Sequence, residues 1–338
     1  MSTITCCGMY KCAAHAYGRN MTKPNLSPDA VLDRECEQRS EPGFMESVLA
    51  KAAHKVVIFH RGKALMAGAS LDLLAYLDAS GLPHQLPVGT LQVYLGRVRP
   101  GRGHALAAGT ALVLLALPDD VGELAWVPEG STFAGYRAAA EHMGGADAEI
   151  FIQAQAVANW HATHAFCPRC GNPTEIQTAG WMRRCGHDGS EHFPRTDPAA
   201  IVAIVGADDR ILLANNFAWE ENRYSTVAGF IEGGESAEAG AVREIAEEVG
   251  VHLHSLKYLA SQAWPFPRSL MLGFIGYTDD IVATPDLSEV RAARWFGRAE
   301  LQEAVLAGDA VISSRLSIAR ELIEHWYGGK IVEPGEHA

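Results

Sequence analysis

Glu244, Glu247 and Glu248 fall within two turns of one predicted helix, in the stretch GFIEGGESAEAGAVREIAEEVGV at residues 229–251. Like charges three and four residues apart repel and weaken an isolated helix. Oxygen donors crowded in this way, with no histidine or cysteine among them, suit a hard divalent cation, Mg²⁺ or Mn²⁺. A bound ion removes the repulsion, screens phosphate charge and polarises a phosphoryl oxygen, so the chemistry within reach is metal-assisted hydrolysis. Ser236 is placed to cap a helix beginning near Ala237, and Gly250 to end it in a left-handed conformation. Gly233 and Gly234 let the chain turn into the helix. Val242, Ile245 and Val249 are expected on its core side, and Arg243 is placed to answer a carboxylate such as Glu235. The bland alternative is a solvated acidic face.

A second constellation lies upstream, in CPRCGNPTEIQTAGWMRRCGHDGSEHF. Cys167-x2-Cys170 is followed after fourteen residues by Cys185. A structural zinc ribbon uses two such pairs, and the fourth cysteine is missing. It should fall at Asp188, so Asp188, its neighbour His187 and His192 are the candidate replacements. Pro168, Gly171 and Gly186 keep the knuckle pattern. The expectation is a retained structural Zn²⁺, held less tightly if Asp188 supplies an oxygen.

These clusters need scaffolds. The chain has 338 residues, enough for two domains with a small insert, and its 48% hydrophobic and 20% charged content is that of an ordinary globular protein. The net charge of −12 gives nucleic acid no overall attraction, although metal ions and a few arginines can neutralise a site locally. No segment offers the roughly 20 apolar residues of a membrane span, and TALVLLALP (110–118) reads as a buried strand. The first residues lack the apolar core of a secretory signal, so a cytoplasmic enzyme is expected. Of seven cysteines, Cys6, Cys7, Cys12 and Cys36 have no paired spacing and are expected to be free thiols.

Residues 1–24 read as a disordered extension. HKVVIFHRGKALMAG (54–68) reads as two strands around an Arg61-Gly62-Lys63 turn, and LQVYLGRV, TALVLLAL and GELAWVPEG (122–130) continue a β-rich pattern. Helical spacing follows at 147–166. After the cysteine segment, 197–216 reads as two strands around an Asp-Asp turn. Strands are then expected near 253–264 and 269–280, with a late strand and closing helices after residue 291. No internal repeat is visible. Strands interleaved with helices, with antiparallel-looking runs, argue an α/β or α+β fold.

The stretch at 229–251 satisfies G-x5-E-x7-R-E-U-x-E-E-x-G-U, with U apolar, at every position, and in this it resembles the Nudix hydrolases. SQAWPFPRS (261–269) is similar to the SQPWPFPxS motif of the NADH pyrophosphatase branch. A cysteine ribbon and an N-terminal domain precede it in the same order as in that branch. The resemblance implies an α+β architecture: a Nudix α/β/α sandwich at 197–330, a zinc-ribbon-like segment at 164–196 and a β-rich N-terminal domain at 25–163. It also implies cleavage of NADH or NAD⁺ to NMN(H) and AMP with Mg²⁺ or Mn²⁺ on Glu244, Glu247, Glu248 and Glu289. Arg243 would support these ligands, and Zn²⁺ would sit on Cys167, Cys170, Cys185 and His187 or Asp188. Phe193 and Phe230 would hold the nicotinamide, and Ser261, Gln262, Trp264, Phe266, Arg268 and Ser269 would line the substrate site. A homodimer with Phe193 reaching the partner's site is implied as well.

Ala263 stands where the motif has its first proline, and Arg268 where glutamine is common, which bears on the choice among dinucleotide, NAD-capped RNA and ADP-ribose. Taken by themselves, two prolines hold Trp264 and Phe266 rigidly, whether at a ligand or over a core. Arg183, Arg184 and Arg195 are candidates for guiding an RNA backbone. Competing readings are a general Nudix hydrolase of damaged nucleotides and a non-catalytic ligand sensor, which would have broken metal ligands.

Overall fold

The computed structural model describes residues 30–51, 53–101 and 104–336. The expected disordered extension, with Cys6, Cys7 and Cys12, lies outside them. Strand β1 (Leu32–Asp33) and helix α1 (Phe44–Leu49) lead into β2 (Lys55–His60), β3 (Lys63–Met66), β4 (Leu77–Asp78), β5 (Leu91–Val98), β6 (Ala111–Leu117) and β7 (Thr132–Ala134). Arg61 and Gly62 both take left-handed dihedrals, φ 51° and 70°, which suits the two-residue turn joining β2 to β3. These strands form one sheet in the order β1-β5-β6-β2-β3-β7, with β4 on β2. One short-range expectation fails here. Residues 122–130 form turns instead of a strand, with Pro128 and Gly130 interrupting any ladder, and the strand comes later, at Thr132–Ala134. Helices α2 (Tyr136–Ala139) and α3 (Gly145–Thr163) close the unit.

The ribbon is a three-stranded antiparallel sheet of β8 (Thr174–Gln177), β9 (Met182–Cys185) and β10 (Glu191–His192). The rest comprises β11 (Asp197–Gly206), β12 (Ile211–Asn216), β13 (Arg223–Tyr224), β14 (Val227–Phe230), α4 (Ala237–Val249), β15 (Ser255–Trp264), β16 (Ser269–Thr278), β17 (Val290–Phe296), α5 (Arg298–Ala307), β18 (Val311–Ile312) and α6 (Ile318–Tyr327). Strand β11 is apolar almost throughout because both faces are covered. Ala200, Val202 and Ile204 pack in one core with Ala241, Ile245 and Val249 of α4. Ile201, Ala203 and Val205 pack in another with Leu301 of α5 and Leu322, Ile323 and Trp326 of α6. The result is an α/β/α sandwich.

Its sheet runs β15-β16-β11-β12-β17, paired antiparallel, parallel, antiparallel, antiparallel. The N-terminal sheet runs β5-β6-β2-β3-β7 with the same four polarities. Even the irregularity is shared, since the register shifts at Tyr94/Gly96 in β5 and at Tyr258/Ala260 in β15. The chain therefore contains a repeat of topology that its sequence does not display. The N-terminal copy has no long helix where α4 should be, only β4 and a short turn at Ala79–Gly81.

Candidate active site and metal centre

Helix α4 is capped as its residues dictate. The Ser236 hydroxyl accepts the Ala239 amide at 3.1 Å, and Gly250 ends the helix at φ 64°. Gly234, at φ 100°, turns the chain into it. Ile245 and Val249 are buried with Ala241, whereas Val242 is exposed, contrary to expectation, because Ala241 and Ile245 already fill the core-facing stripe.

Arg243 is the counter-ion that holds the glutamates together. Its guanidinium donates to both oxygens of Glu235 at 2.7 and 2.9 Å, to Glu244 and Glu247 at 2.9 Å each, and to the Phe230 carbonyl at 2.9 Å. These bonds draw the Glu235 carboxyl down to about 2. The Glu244 carboxyl lies against β14 at Gly229, where an added Cβ would come within 2.1 Å of it. Only glycine leaves this approach open, which gives the signature's first position a physical meaning.

Glu248, unlike Glu244 and Glu247, has no such counter-ion among the described residues. Burial, then the charges of Glu244, Glu289, Asp286 and Glu247, push it up to about 8. Glu289 comes from the loop just before β17, the last strand of the sheet, whose Val290 packs in the same core as α4. Asp286 holds its loop. The Asp286 carboxylate accepts the Val290 amide at 2.8 Å, the Glu289 amide at 3.1 Å and the Ser288 hydroxyl, while its own amide donates to the Glu248 carbonyl at 3.0 Å. These four carboxylates lie near enough to act on one half-buried acid, a donor set that suits a hard cation. Among the described residues, it is the ribbon group whose ligand atoms already lie within 4.8 Å of one another. Glu247 remains exposed and Glu289 stands at the surface, so the group is reachable by solvent and ligand.

In the ribbon, one ligand atom each from Cys167, Cys170, Cys185 and Asp188 all lie within 4.8 Å of one another. The two knuckles match. Gly171 donates to the Cys167 carbonyl and Gly189 to the Cys185 carbonyl, at 2.9 and 3.0 Å, with φ 72° and 71°. The second left-handed glycine is therefore Gly189 and not Gly186. Both Asp188 and His187 are exposed, but it is Asp188 whose oxygen lies within 4.8 Å of the three sulfurs, which makes it the candidate donor of the two. The Ser190 hydroxyl and amide bind Asp188 at 2.5 and 3.0 Å and keep it well below the usual carboxylate range. His192 meets the Ser190 hydroxyl at 3.1 Å and also hydrogen-bonds the Cys167 side chain, so it stands at the edge of the cluster. Three thiols and an ionised carboxylate suit Zn²⁺.

The family models agree with this layout. A rudimentary NUDIX domain of the NADH pyrophosphatase type matches residues 54–160, the NADH pyrophosphatase zinc ribbon matches 162–193, and the NUDIX domain matches 195–316. The NAD-capped RNA hydrolase NudC of Mycobacterium tuberculosis (strain H37Rv) is 39% identical over 276 residues, covering 79% of this chain and 83% of that one. NudC of Stutzerimonas stutzeri is 35% identical over 237 residues, covering 69% and 79%. The chain belongs to the NudC family of Nudix hydrolases. A solved NUDIX hydrolase from Nitrosomonas europaea shares 23% identity over 51% of this chain and 96% of its own, with a TM-score of 0.35.

In this NudC-family chain the SQAWPFPRS hairpin faces inward. Trp264 and Phe266 pack on the N-terminal core, with ring centroids 6.1 and 5.7 Å from Tyr136. The Asn159 side-chain amide of α3 donates to the Pro265 and Pro267 carbonyls at 2.8 and 2.9 Å. Gln262 bridges the Leu316 carbonyl and the Ile318 amide at the start of α6, at 2.6 and 2.8 Å. Arg268 is paired with Asp197 at 2.8 Å, Ser269 is buried, and Ser261 sits in β15 opposite Leu272. Of the rings expected at the substrate, Phe193 and Phe230 present themselves to solvent, 48% and 56% exposed.

Arg183 is no RNA contact, because it is buried on Thr174 and on His161 Nδ1 at 2.9 Å. Arg184 and Arg195 are exposed. Asp286 was missed in the sequence reading. Its signal was the Asp-x-Ser-Glu spacing, in which an aspartate binds amides just ahead of it. No helix among the described residues is long and apolar enough to cross a membrane.

Proposed function

We propose that this chain cleaves the pyrophosphate bond of NADH and NAD⁺, yielding NMN(H) and AMP, with a divalent cation on Glu244, Glu247, Glu248 and Glu289. The observation that carries this is the signature helix, on which Arg243 gathers Glu244 and Glu247 at 2.9 Å each beside the half-buried Glu248. When bound, Mg²⁺ or Mn²⁺ supplies charge screening at the pyrophosphate and polarisation of a phosphoryl oxygen. The chain's own part begins with Glu248, which loses its proton as the site loads. Glu248 or Glu247 then accepts the proton of the attacking water while the phosphorus–oxygen bond to the leaving mononucleotide breaks. Arg243 keeps Glu244 and Glu247 oriented throughout. Phe193 and Phe230 offer open ring faces for the nicotinamide. We place the enzyme in the cytoplasm as a homodimer, with Phe193 shared between protomers.

The names of the relatives favour a second reading, removal of an NAD cap from RNA by the same cut. Against strong backbone binding stand the net charge of −12 and the commitment of Arg183 to the interior. The test offers NADH, NAD⁺, ADP-ribose and NAD-capped RNA to the purified protein with Mg²⁺ or Mn²⁺ and identifies products by mass. NMNH plus AMP at the highest kcat/KM supports the first reading. Steeply salt-sensitive cleavage of capped RNA at a higher kcat/KM replaces it with the second.

A further inference from the structure

The loop at residues 216–223 carries groups that the proposed reaction has not used. Strands β12 and β17 pair in register at Asn215↔Ala292 and then at Asn216↔Val290, so Arg291 is the extra residue of a bulge. One step on, the Phe217 amide donates to the Glu289 carbonyl at 3.0 Å. Phe217 thus stands opposite Glu289 at the end of the ladder, and directly opposed residues point their side chains to the same face. The bulge swings Arg291 back over the Phe217 ring, 5.2 Å from its centroid, with Nη2 donating to the Phe217 carbonyl at 3.0 Å. No carboxylate of the described residues forms an ion pair with Arg291. The ring itself is 46% exposed.

The loop is built to hold this shape. Asn215 donates to the Glu220 and Arg223 carbonyls at 2.7 and 2.6 Å, Asn216 accepts the Ala218 amide at 2.8 Å, and Arg223 lies over Trp219 at 5.4 Å. A half-open aromatic face and an ion-pair-free guanidinium, fixed beside a carboxylate of the pyrophosphate site, match a flat base joined to a phosphate.

We propose that Phe217 and Arg291 form a nucleotide subsite, with the ring stacking on the purine of the AMP half and the guanidinium meeting its phosphate. This rests on the pyrophosphatase reading only for which half arrives there. The test is equilibrium titration of AMP and of ribose 5-phosphate, which lacks the base, into the Mg²⁺-containing protein and its variants. The wild type is expected to bind AMP on the order of tenfold more tightly than ribose 5-phosphate. Phe217→Ala abolishes that difference, Phe217→Trp keeps it, and Arg291→Gln weakens both ligands alike.

An AMP advantage that is missing in the wild type, or that survives Phe217→Ala, overturns the subsite. So does a matching loss of Mg²⁺ affinity in Phe217→Ala, which would make the ring mere support for Glu289. Because the readout is binding, it stands apart from turnover. If NADH is not cleaved yet the AMP advantage follows Phe217, the reaction assignment fails and the subsite holds.

Discussion

Without a cation, partial burial and neighbouring carboxylates push Glu248 up to about 8. Its folded value exceeds the ordinary 4.5, so the folded state keeps a proton that the unfolded chain has already lost. The stability this contributes is fully present below about pH 4.5 and is lost as pH rises through 8. Metal must displace the same proton. Apparent Mg²⁺ affinity of the apoprotein is therefore expected to climb, by at most about tenfold per unit, from pH 6 to 8 and then level off. Calorimetry in buffers of different ionisation enthalpy checks this, and a flat affinity with no proton release would refute it. The three glutamates of α4 were legible because repulsion on a helix face demands a ligand, whereas Glu289 came only from the family resemblance. Arg243's five bonds were only half legible, since the approach of Glu244 to Gly229 depends on where β14 lies.

The segments that carry isolated ligands are governed by short hydrogen-bonded turns. Asp286 caps the loop of Glu289, and Asp286→Ala is expected to raise the Mg²⁺ concentration for half-maximal activity several-fold, an effect largely absent once Glu289 is already Gln. Additive losses in that double-mutant cycle would show that Asp286 acts elsewhere. In the ribbon, Asp188→Cys supplies a fourth thiolate and is expected to retain zinc against at least tenfold more chelator, whereas His187→Ala changes nothing. Zinc content measured after chelator dialysis decides between the two residues. Sequence spacing left Asp188, His187 and His192 as candidate ligands and could not choose, because which of them nears the sulfurs depends on the left-handed turn at Gly189. Strands and helices were readable where periodicity was strong, as in β11, β12 and α4. The run at 122–130 misled because its apolar residues serve as a packed turn over the N-terminal core.

At the scale of the whole chain, two sheets of one topology are joined through the SQAWPFPRS hairpin. This joint was not legible, because an aromatic run does not say which surface it meets, and a repeat of strand order leaves no repeat of residues. Asn159→Ala removes two hydrogen bonds from the joint and is expected to cost on the order of 2 kcal/mol. Urea unfolding followed by tryptophan fluorescence measures it, and an unchanged midpoint would mean that the ring packing alone secures the hairpin. The packing of Trp264 and Phe266 on the N-terminal core also bears on any attempt to shorten the protein. A gene trimmed to the catalytic half would release two indole and phenyl faces into water, next to a β-hairpin able to pair with its own kind. Such a fragment is an aggregation hazard, and keeping it dispersed would require its discarded half in the same cell, acting as a dedicated chaperone in trans.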